Sequence, residues 1–371
     1  MRNLWIDLGA ISQNLETMRA KVSGAKVMVV VKANAYGHGM LPVAQHLDDA
    51  VDFFGVADID EALELRAAGI ESPILAWLHD PNETFEAAID ADIDLGIATV
   101  EQLNRVAEAA KTCRQRARVH LKVDTGLGRN GASLADWPQL VTAARAYAEL
   151  GLIETVAVFS HLSSTSEQDD LEQIQRFDHA VSEAKDLALE FELRHLTASD
   201  GSLNYPQAHY EMVRLGVAIY GLSPFSDHGS AEYGLVPAMT ATSVVVQTKR
   251  VAAGHGVSYG YLHRTSAETT LALVPVGYAE GLPRDASIWA EVAVNGKRYR
   301  ISSRIAMDQF VIDVGDDEVK AGDQVVLFGP NAEVGPSVDE LARAGDTINY
   351  EVVTRMGGRF KRRYLNQKAK D

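Results

Sequence analysis

Up to about residue 238 the chain alternates short β-branched runs with longer amphipathic stretches, and this rhythm restricts the fold more than any other feature. Buried strands are expected at Lys26–Lys32, Phe53–Ala57, Pro73–Trp77, Ile93–Ala98, Ala117–Val123, Thr155–Ser160, Leu193–Thr197 and Glu211–Arg214. Helical patterns lie between them, for example at Asp58–Ala68, Thr99–Lys111 and Asp169–Glu190; Thr99 and Gln102, ahead of Leu103 and Val106, read as a capping box. Parallel strands require crossovers of this length, and eight strands favour a closed barrel over an open doubly wound sheet.

After Pro237 the rhythm changes. Thr242–Val251, Thr270–Val276, Ala290–Ile301, Phe310–Val314 and Gln324–Phe328 read as strands with little helix between them. Asn295-Gly296 marks a hairpin, because both positions tolerate positive φ. A late helix is expected from Ser337, with Glu340 completing its capping box. The expected class is α/β: a (β/α)8 barrel over residues 9–238 and a mostly antiparallel β domain over 239–371, with an opening strand within residues 1–8 free to pair with the latter.

Composition narrows the class of function. A formal net charge of −16 in 371 residues argues against a nucleic-acid backbone or an anionic membrane as partner. The basic stretch Arg359 to Lys370 reads as a solvated tail. One cysteine, Cys113, excludes an internal disulfide framework. The most continuous apolar run, Val27–Val31, is far shorter than the ~20 residues of a membrane span, and no charged n-region precedes an apolar stretch at the N-terminus. A cytoplasmic enzyme is expected. No His, Asp or Glu spacing resembles a metal site, so no metal is expected.

The strand ends carry the chemistry. Val27–Val31 delivers Lys32 at its carboxyl end, ahead of a glycine-rich turn, and in a βα barrel that end holds the active site. An apolar setting disfavours the ammonium form and frees the amine to attack a carbonyl; a lysine snorkelling to solvent is the competing reading. Gly126, Gly128 and Gly131 form a G-x-G-x-x-G, but the next strand ends in Ser160-His161 rather than an acidic residue, so dinucleotide binding is discounted. What remains there is Arg129, a permanently charged fork suited to an anionic oxygen. Ser199 follows the seventh strand, and Gly216-Val217 the eighth, where barrels often hold phosphate. His161 and His195, taken alone, are strand or rim histidines. Asp58, Asp60, Glu61 and Glu64 read as a solvated helical face.

Together these segments resemble the alanine racemases. The resemblance rests on seven motifs in family order: Val31-Lys-Ala-Asn-Ala-Tyr-Gly-His-Gly39, Lys122-Val-Asp-Thr-Gly-Leu-Gly-Arg129, Arg214-Leu-Gly-Val-Ala-Ile-Tyr-Gly221, Val257-Ser-Tyr-Gly260, Gly277-Tyr-Ala-Glu-Gly281, Arg304-Ile-Ala-Met-Asp-Gln309 and Ile348-Asn-Tyr-Glu351. It implies pyridoxal 5'-phosphate attached to Lys32, with the phosphate held by Tyr36, Ser199, Tyr350 and the backbone of Gly216 and Val217. Arg214 would face the pyridine nitrogen with His195 behind it. Lys32 and Tyr259, the latter from the partner subunit of a homodimer, would be the two bases, with His161 assisting the tyrosine. Arg129, the Met307 backbone and Tyr278 would contact the substrate, with Asp308 in support and Lys122 as a candidate for carbamylation.

The sequence departs from the family pattern at Ala198, where asparagine is common, at Asp200-Gly201, where small apolar residues are usual, and at Ala306, where cysteine is frequent. A carboxylate at Asp200 would repel a phosphate, so it is expected to face away. Competing activities are racemisation of another small amino acid such as serine, and decarboxylation, which in this fold usually sets a carboxylate where Arg214 stands. A non-catalytic pyridoxal-phosphate carrier is disfavoured by the residues from 239 onward.

Overall fold

The computed structural model describes residues 1–367 except 23, 332 and 334. The chain divides into two compact units: Leu15–Ala33 with Met40–Ile219, and Met1–Asn14 with Asn34–Gly39 and Tyr220–Asp371. It opens with β1 (Asn3–Asp7), which belongs to the second of these.

The first unit is the barrel. Its strands are β2 (Lys26–Val30), β3 (Phe53–Val56), β4 (Ile74–Ala76), β5 (Ile93–Ile97), β6 (Ala117–Lys122), β7 (Ile153–Phe159), β8 (Leu193–His195) and β9 (Met212–Leu215). All ladders are parallel, in the order β8-β7-β6-β5-β4-β3-β2-β9. No ladder joins β8 to β9, but Arg214 N–H donates to the Thr197 carbonyl at 3.1 Å, so the barrel is nearly closed. Met28, Phe53, Leu75, Val156, Leu193 and Met212 form one buried cluster.

Helices follow the strands, as at Ile59–Ala67, Val100–Cys113 and Glu167–Asp186, capped by Asp58, Thr99 and Ser166. The capping box at Thr99 is displaced: Thr99 accepts from Gln102 N–H, but the Gln102 side chain reaches Ala98 N–H. The solvated-face reading fails for two of its acidic residues. Asp58 caps a helix, and Glu61 accepts from the N–H groups of Ala33 at 2.6 Å and Ala57 at 2.8 Å, so both carboxylates are committed to backbone donors.

In the second unit β10 (Met239–Val244), β11 (Gln247–Val251), β12 (Gly256–Val257), β13 (His263–Arg264), β14 (Thr269–Val274), β15 (Glu291–Val294), β16 (Lys297–Arg300), β17 (Phe310–Gly315), β18 (Gln324–Phe328) and β19 (Lys361–Leu365) build three sheets. The largest runs β16-β15-β18-β10-β1-β19. The expected single strand Thr242–Val251 is two, because the chain leaves one sheet at Val244 and enters another at Gln247. The Asn295-Gly296 hairpin has φ of 51° and 76°, and Ser337 with Glu340 forms a reciprocal capping box. The solvated-tail reading of Arg359 to Lys370 is overturned. Lys361–Leu365 pairs in parallel with β1, and Arg359 ion-pairs with Glu280 and Asp308; Lys368 and Lys370 lie outside the described residues. Among the described residues no helix is long and apolar enough to cross a membrane.

The stretch after β2 is unusual. Ala33, Asn34, Ala35 and Tyr36 all have φ between 52° and 55°, one turn of left-handed helix built from residues with side chains. Left-handed backbone costs about 1–2 kcal/mol per such residue. Compensation is local: the His38 and Gly39 N–H groups bond the Ala35 and Asn34 carbonyls at 2.9 Å, and His38 Nδ1–H lies 3.0 Å from both the Ala35 and Tyr36 carbonyls. Burial, only partly opposed by those two carbonyls, pushes the His38 ring down to about 4, so it is neutral there. Gly37 (φ 81°) must be glycine, since a Cβ there would stand 2.2 Å from the Val353 carbonyl oxygen.

Gly37→Ala should therefore lower stability by about 2 kcal/mol or more. Gly69→Ala, at φ 85° with nothing within 4 Å of a built Cβ, should cost about 1 kcal/mol. Denaturant midpoints of the two variants decide this; equal shifts would show that φ alone, and not the Val353 contact, sets the cost.

Candidate active site

Within the barrel unit the expected residues converge at the carboxyl ends of the strands. Lys32 follows β2, with its Nζ 5.8 Å above the Trp77 ring. Burial first, then the Arg129 and Arg214 guanidinium groups, hold its amine below the ordinary lysine range, against the opposing pull of Glu61. Lys122 ends β6 and is buried, with Nζ 5.2 Å from the Phe159 ring centre. Burial, followed by Arg214 and Arg129, pushes its amine down to about 7, with Asp124 opposing.

Arg129 is exposed, and its guanidinium has no hydrogen bond or ion pair among the described residues. The loop that carries it is not a phosphate cradle. Asp124 already accepts from Gly126 N–H at 2.9 Å and Gly128 N–H at 3.1 Å, and its carboxylate would repel an anion.

Arg214, on β9, is buried yet almost fully partnered. Its Nη1 donates to the His195 carbonyl at 2.9 Å and to His195 Nδ1 at 3.0 Å. Its Nη2 donates to the Ser160 carbonyl at 2.8 Å, the Leu196 carbonyl at 2.9 Å and His161 Nδ1 at 3.0 Å. Only the Nε–H lacks an acceptor among the described residues. Burial lowers the guanidinium to about 10 with Asp200 opposing, so it stays protonated at neutral pH. His161 and His195 are driven well below the usual histidine range, by burial and then by Arg214, and are neutral. These are not isolated rim histidines: each turns a lone pair toward one guanidinium.

Ser199 begins the short helix Ser199–Asn204, and its Oγ accepts from Gly216 N–H at 3.1 Å and Ala218 N–H at 3.3 Å. The Val217 N–H, at the head of the turn Val217–Tyr220, has no acceptor among the described residues. Ala198 caps that helix without a side-chain bond. The Asp200 carboxylate accepts a hydrogen bond from Ser164 Oγ.

The remaining expected residues lie in the other unit. The Tyr36 ring is 5.0 Å from Tyr220 and 6.2 Å from Tyr350, and burial pushes the Tyr36 hydroxyl up to about 12, so it acts as a neutral donor. Tyr259 stands on a turn between Ser258 (φ 57°) and Gly260 (φ 73°) and is 70% exposed. Tyr278 and Met307 are also exposed. The Met307 carbonyl accepts from Ala279 N–H at 3.0 Å, while the Met307 N–H has no acceptor among the described residues. Asp308 is ion-paired to Arg359 at 2.6 Å.

Two buried residues behind Arg214 were missed from sequence. His120, on β6, contacts His195 Nε2 through Nδ1 at 3.0 Å and Asp94, on β5, through Nε2 at 2.9 Å. A signal for them exists: Arg118, His120 and Lys122 are polar at every second position of a strand otherwise read as buried, and so share one face. Among the described residues no group of three His, Cys, Asp or Glu side chains is placed to hold a metal ion.

The alanine racemase N-terminal domain model matches residues 6–224, and the C-terminal domain model matches residues 238–364. The chain is 48% identical to the alanine racemase of Frankia casuarinae, over 97% of this chain and 95% of that one. It is 47% identical to that of Thermobifida fusca, over 97% and 96%. The crystal structure of alanine racemase from D-cycloserine-producing Streptomyces lavendulae superposes with a TM-score of 0.97 at 42% identity, covering 98% of this chain and 97% of that chain. This chain belongs to the alanine racemase family.

Proposed function

We propose that the protein interconverts L- and D-alanine with pyridoxal 5'-phosphate as cofactor, by a two-base mechanism in a homodimer whose subunits complete each other's sites. In this reading residues 9–238 hold the cofactor and residues 239–371, joined by the opening strand, supply the second base. The observation that carries it is the convergence of Lys32, Lys122, Arg129 and Arg214, each lowering the pKa of at least one neighbour or having its own lowered. Such a cluster is unfavourable unless anions join it, and a phosphate together with a substrate carboxylate suits it. The residues present fit the cofactor: a partly desolvated lysine amine, one unused N–H on a locked guanidinium, and a serine with the unpaired Val217 N–H for phosphate. Gly216 N–H, Tyr36 and Tyr350 complete the phosphate set by resemblance.

Bound through Lys32, pyridoxal phosphate would withdraw electrons from the substrate Cα and make its proton removable. Arg214 would hold the ring nitrogen with a hydrogen bond without surrendering a proton, because a guanidinium keeps its charge. Arg214 would thereby limit how far the cofactor draws electrons from Cα, which would favour prompt return of the proton over side reactions, and the same arginine disfavours decarboxylation as the main reaction. Lys32 exchanges the proton on one face. Tyr259 of the partner subunit exchanges it on the other. A tyrosine ordinarily holds its proton to about pH 10 and needs help. His161 would give it: its Nδ1 accepts from Arg214, which leaves Nε2 as an N–H donor for a phenolate. Arg129 and the Met307 N–H bind the substrate carboxylate beside Tyr278, with Asp308 held by Arg359 behind them.

The reading is tested by incubating holoenzyme with L-alanine and separating the enantiomers. D-alanine without carbon dioxide is expected; carbon dioxide release, or no turnover, would overturn it. Sharing of sites is tested by mixing inactive Lys32→Ala and Tyr259→Phe subunits under exchanging conditions. Random pairing should restore about one quarter of wild-type activity, since half the dimers gain one intact site of two. No recovery despite confirmed exchange would place both bases on one chain.

Lys122, with an amine near 7 and three cations around it, is the proposed carbamylation site. The neutral amine attacks carbon dioxide, releasing one proton and leaving an anion that would orient Arg129. The neutral fraction rises as pH passes upward through about 7, so the adduct should rise with it. Carbon-13 NMR with labelled bicarbonate should show a carbamate signal that grows from pH 6 to pH 8. The same signal persisting in Lys122→Arg would refute the assignment.

A further inference from the structure

Behind Arg214 a line of polar groups crosses the barrel interior. It runs from Arg214 on β9 through His195 on β8 and His120 on β6 to Asp94 on β5, with contacts of 3.0, 3.0 and 2.9 Å. Arg118 closes the far end with a forked pair to Asp94, at 2.7 and 3.3 Å. Asp94, His120 and His195 are at most 1% exposed. Phe159 stacks on His195 at 4.7 Å, and both Phe159 and Phe53 present an edge to His120. The β6–β7 register also skips here, from Val119–Thr155 to His120–Ala157, with Val156 of β7 as the extra residue, so β6 keeps its alternation through His120.

The two ends of the line decide every proton on it. Arg214 can only donate. Asp94, paired to Arg118, can only accept. His195 Nδ1 must therefore be a lone pair, which puts its single proton on Nε2. That proton faces His120 Nδ1, which must be a lone pair in turn, leaving the His120 proton on Nε2 and directed at Asp94. A second proton on either ring would set two donors against each other.

We propose that Asp94 and His120 are positioning residues for Arg214: through the tautomers they impose, they keep a lone pair of His195 aimed at the guanidinium. The line also holds no spare proton to pass toward the site. The proposal deepens the pyridoxal-phosphate reading, on which the role of the Arg214 Nε–H rests. The relay itself is a property of the protein.

The test follows nitrogen-15 shifts of the histidine rings in labelled holoenzyme, assigned with the His120 and His195 variants, alongside steady-state kinetics. Wild type should show His195 as a single Nε2–H tautomer. Asp94→Asn, whose amide can turn either a donor or an acceptor to His120, should show a mixture at His195 and lose kcat by about tenfold or more, with KM within about twofold. His120→Gln can donate to Asp94 and accept from His195, so it should keep the tautomer and most of kcat. His120→Phe, set among Phe53 and Phe159, should lose both. An unchanged His195 tautomer in both Asp94→Asn and His120→Phe would overturn the proposal, as would equal losses of kcat in His120→Gln and His120→Phe. Absence of racemisation in the wild type would count against the activity alone, because the nitrogen shifts report the relay without turnover.

Discussion

The burial of one permanent cation organises the barrel. Taking a guanidinium out of water costs several kcal/mol unless its donors are met, and Arg214 meets that cost with three carbonyls and two imidazole lone pairs. The carbonyls of Ser160, His195 and Leu196 lie at or just beyond the carboxyl ends of β7 and β8, so the arginine on β9 ties together the side of the barrel where no ladder forms. Moving Arg214 would take this donor from three buried carbonyls and from the Nδ1 atoms of two neutral histidines. Its position is thereby fixed more firmly than any single hydrogen bond would fix it.

Around that anchor the local field opposes the global one. The chain carries a formal charge of −16, yet Lys32, Lys122, Arg129 and Arg214 face one region, where burial and mutual repulsion lower the pKa values of Lys32, Lys122 and Arg214. Surface carboxylates are screened within about 8–10 Å at physiological salt, whereas the partly desolvated Lys32, Lys122 and Arg214 are screened much less. An anionic cofactor and a substrate carboxylate can therefore find a favourable site on an acidic protein. Burial, with the same repulsion added to it, lowers the Lys122 amine to about 7.

Strain sits beside this cluster. The left-handed turn Ala33–Tyr36 follows Lys32 directly, and it persists because His38, Gly37 and the bond from Ala33 to Glu61 over-determine it. His38 is a buried neutral ring stacked 4.5 Å from Tyr220, and it satisfies carbonyls that a left-handed turn leaves open. Lys32 is thereby followed by a backbone turn that its neighbours, rather than the turn itself, hold in place.

The eight-fold strand–helix rhythm, the Asn295-Gly296 hairpin and the Ser337 cap were legible in sequence because each depends on near neighbours: side-chain period, tolerance of positive φ, and a hydroxyl three residues from an amide. Lys32, Arg129, Arg214 and the tyrosines were legible through ordered motifs. The pairing of Lys361–Leu365 with β1, the bond from Ala33 to Glu61 and the line from Asp94 to His195 were not, since each joins residues at least 26 positions apart. Sequence by itself determined which elements form and which reactive groups stand at strand ends, because those follow from local periodicity and chemistry. The tertiary structure decided their charge states, tautomers and backbone strain, because these depend on which distant groups remove water from them and which lone pairs they are made to face.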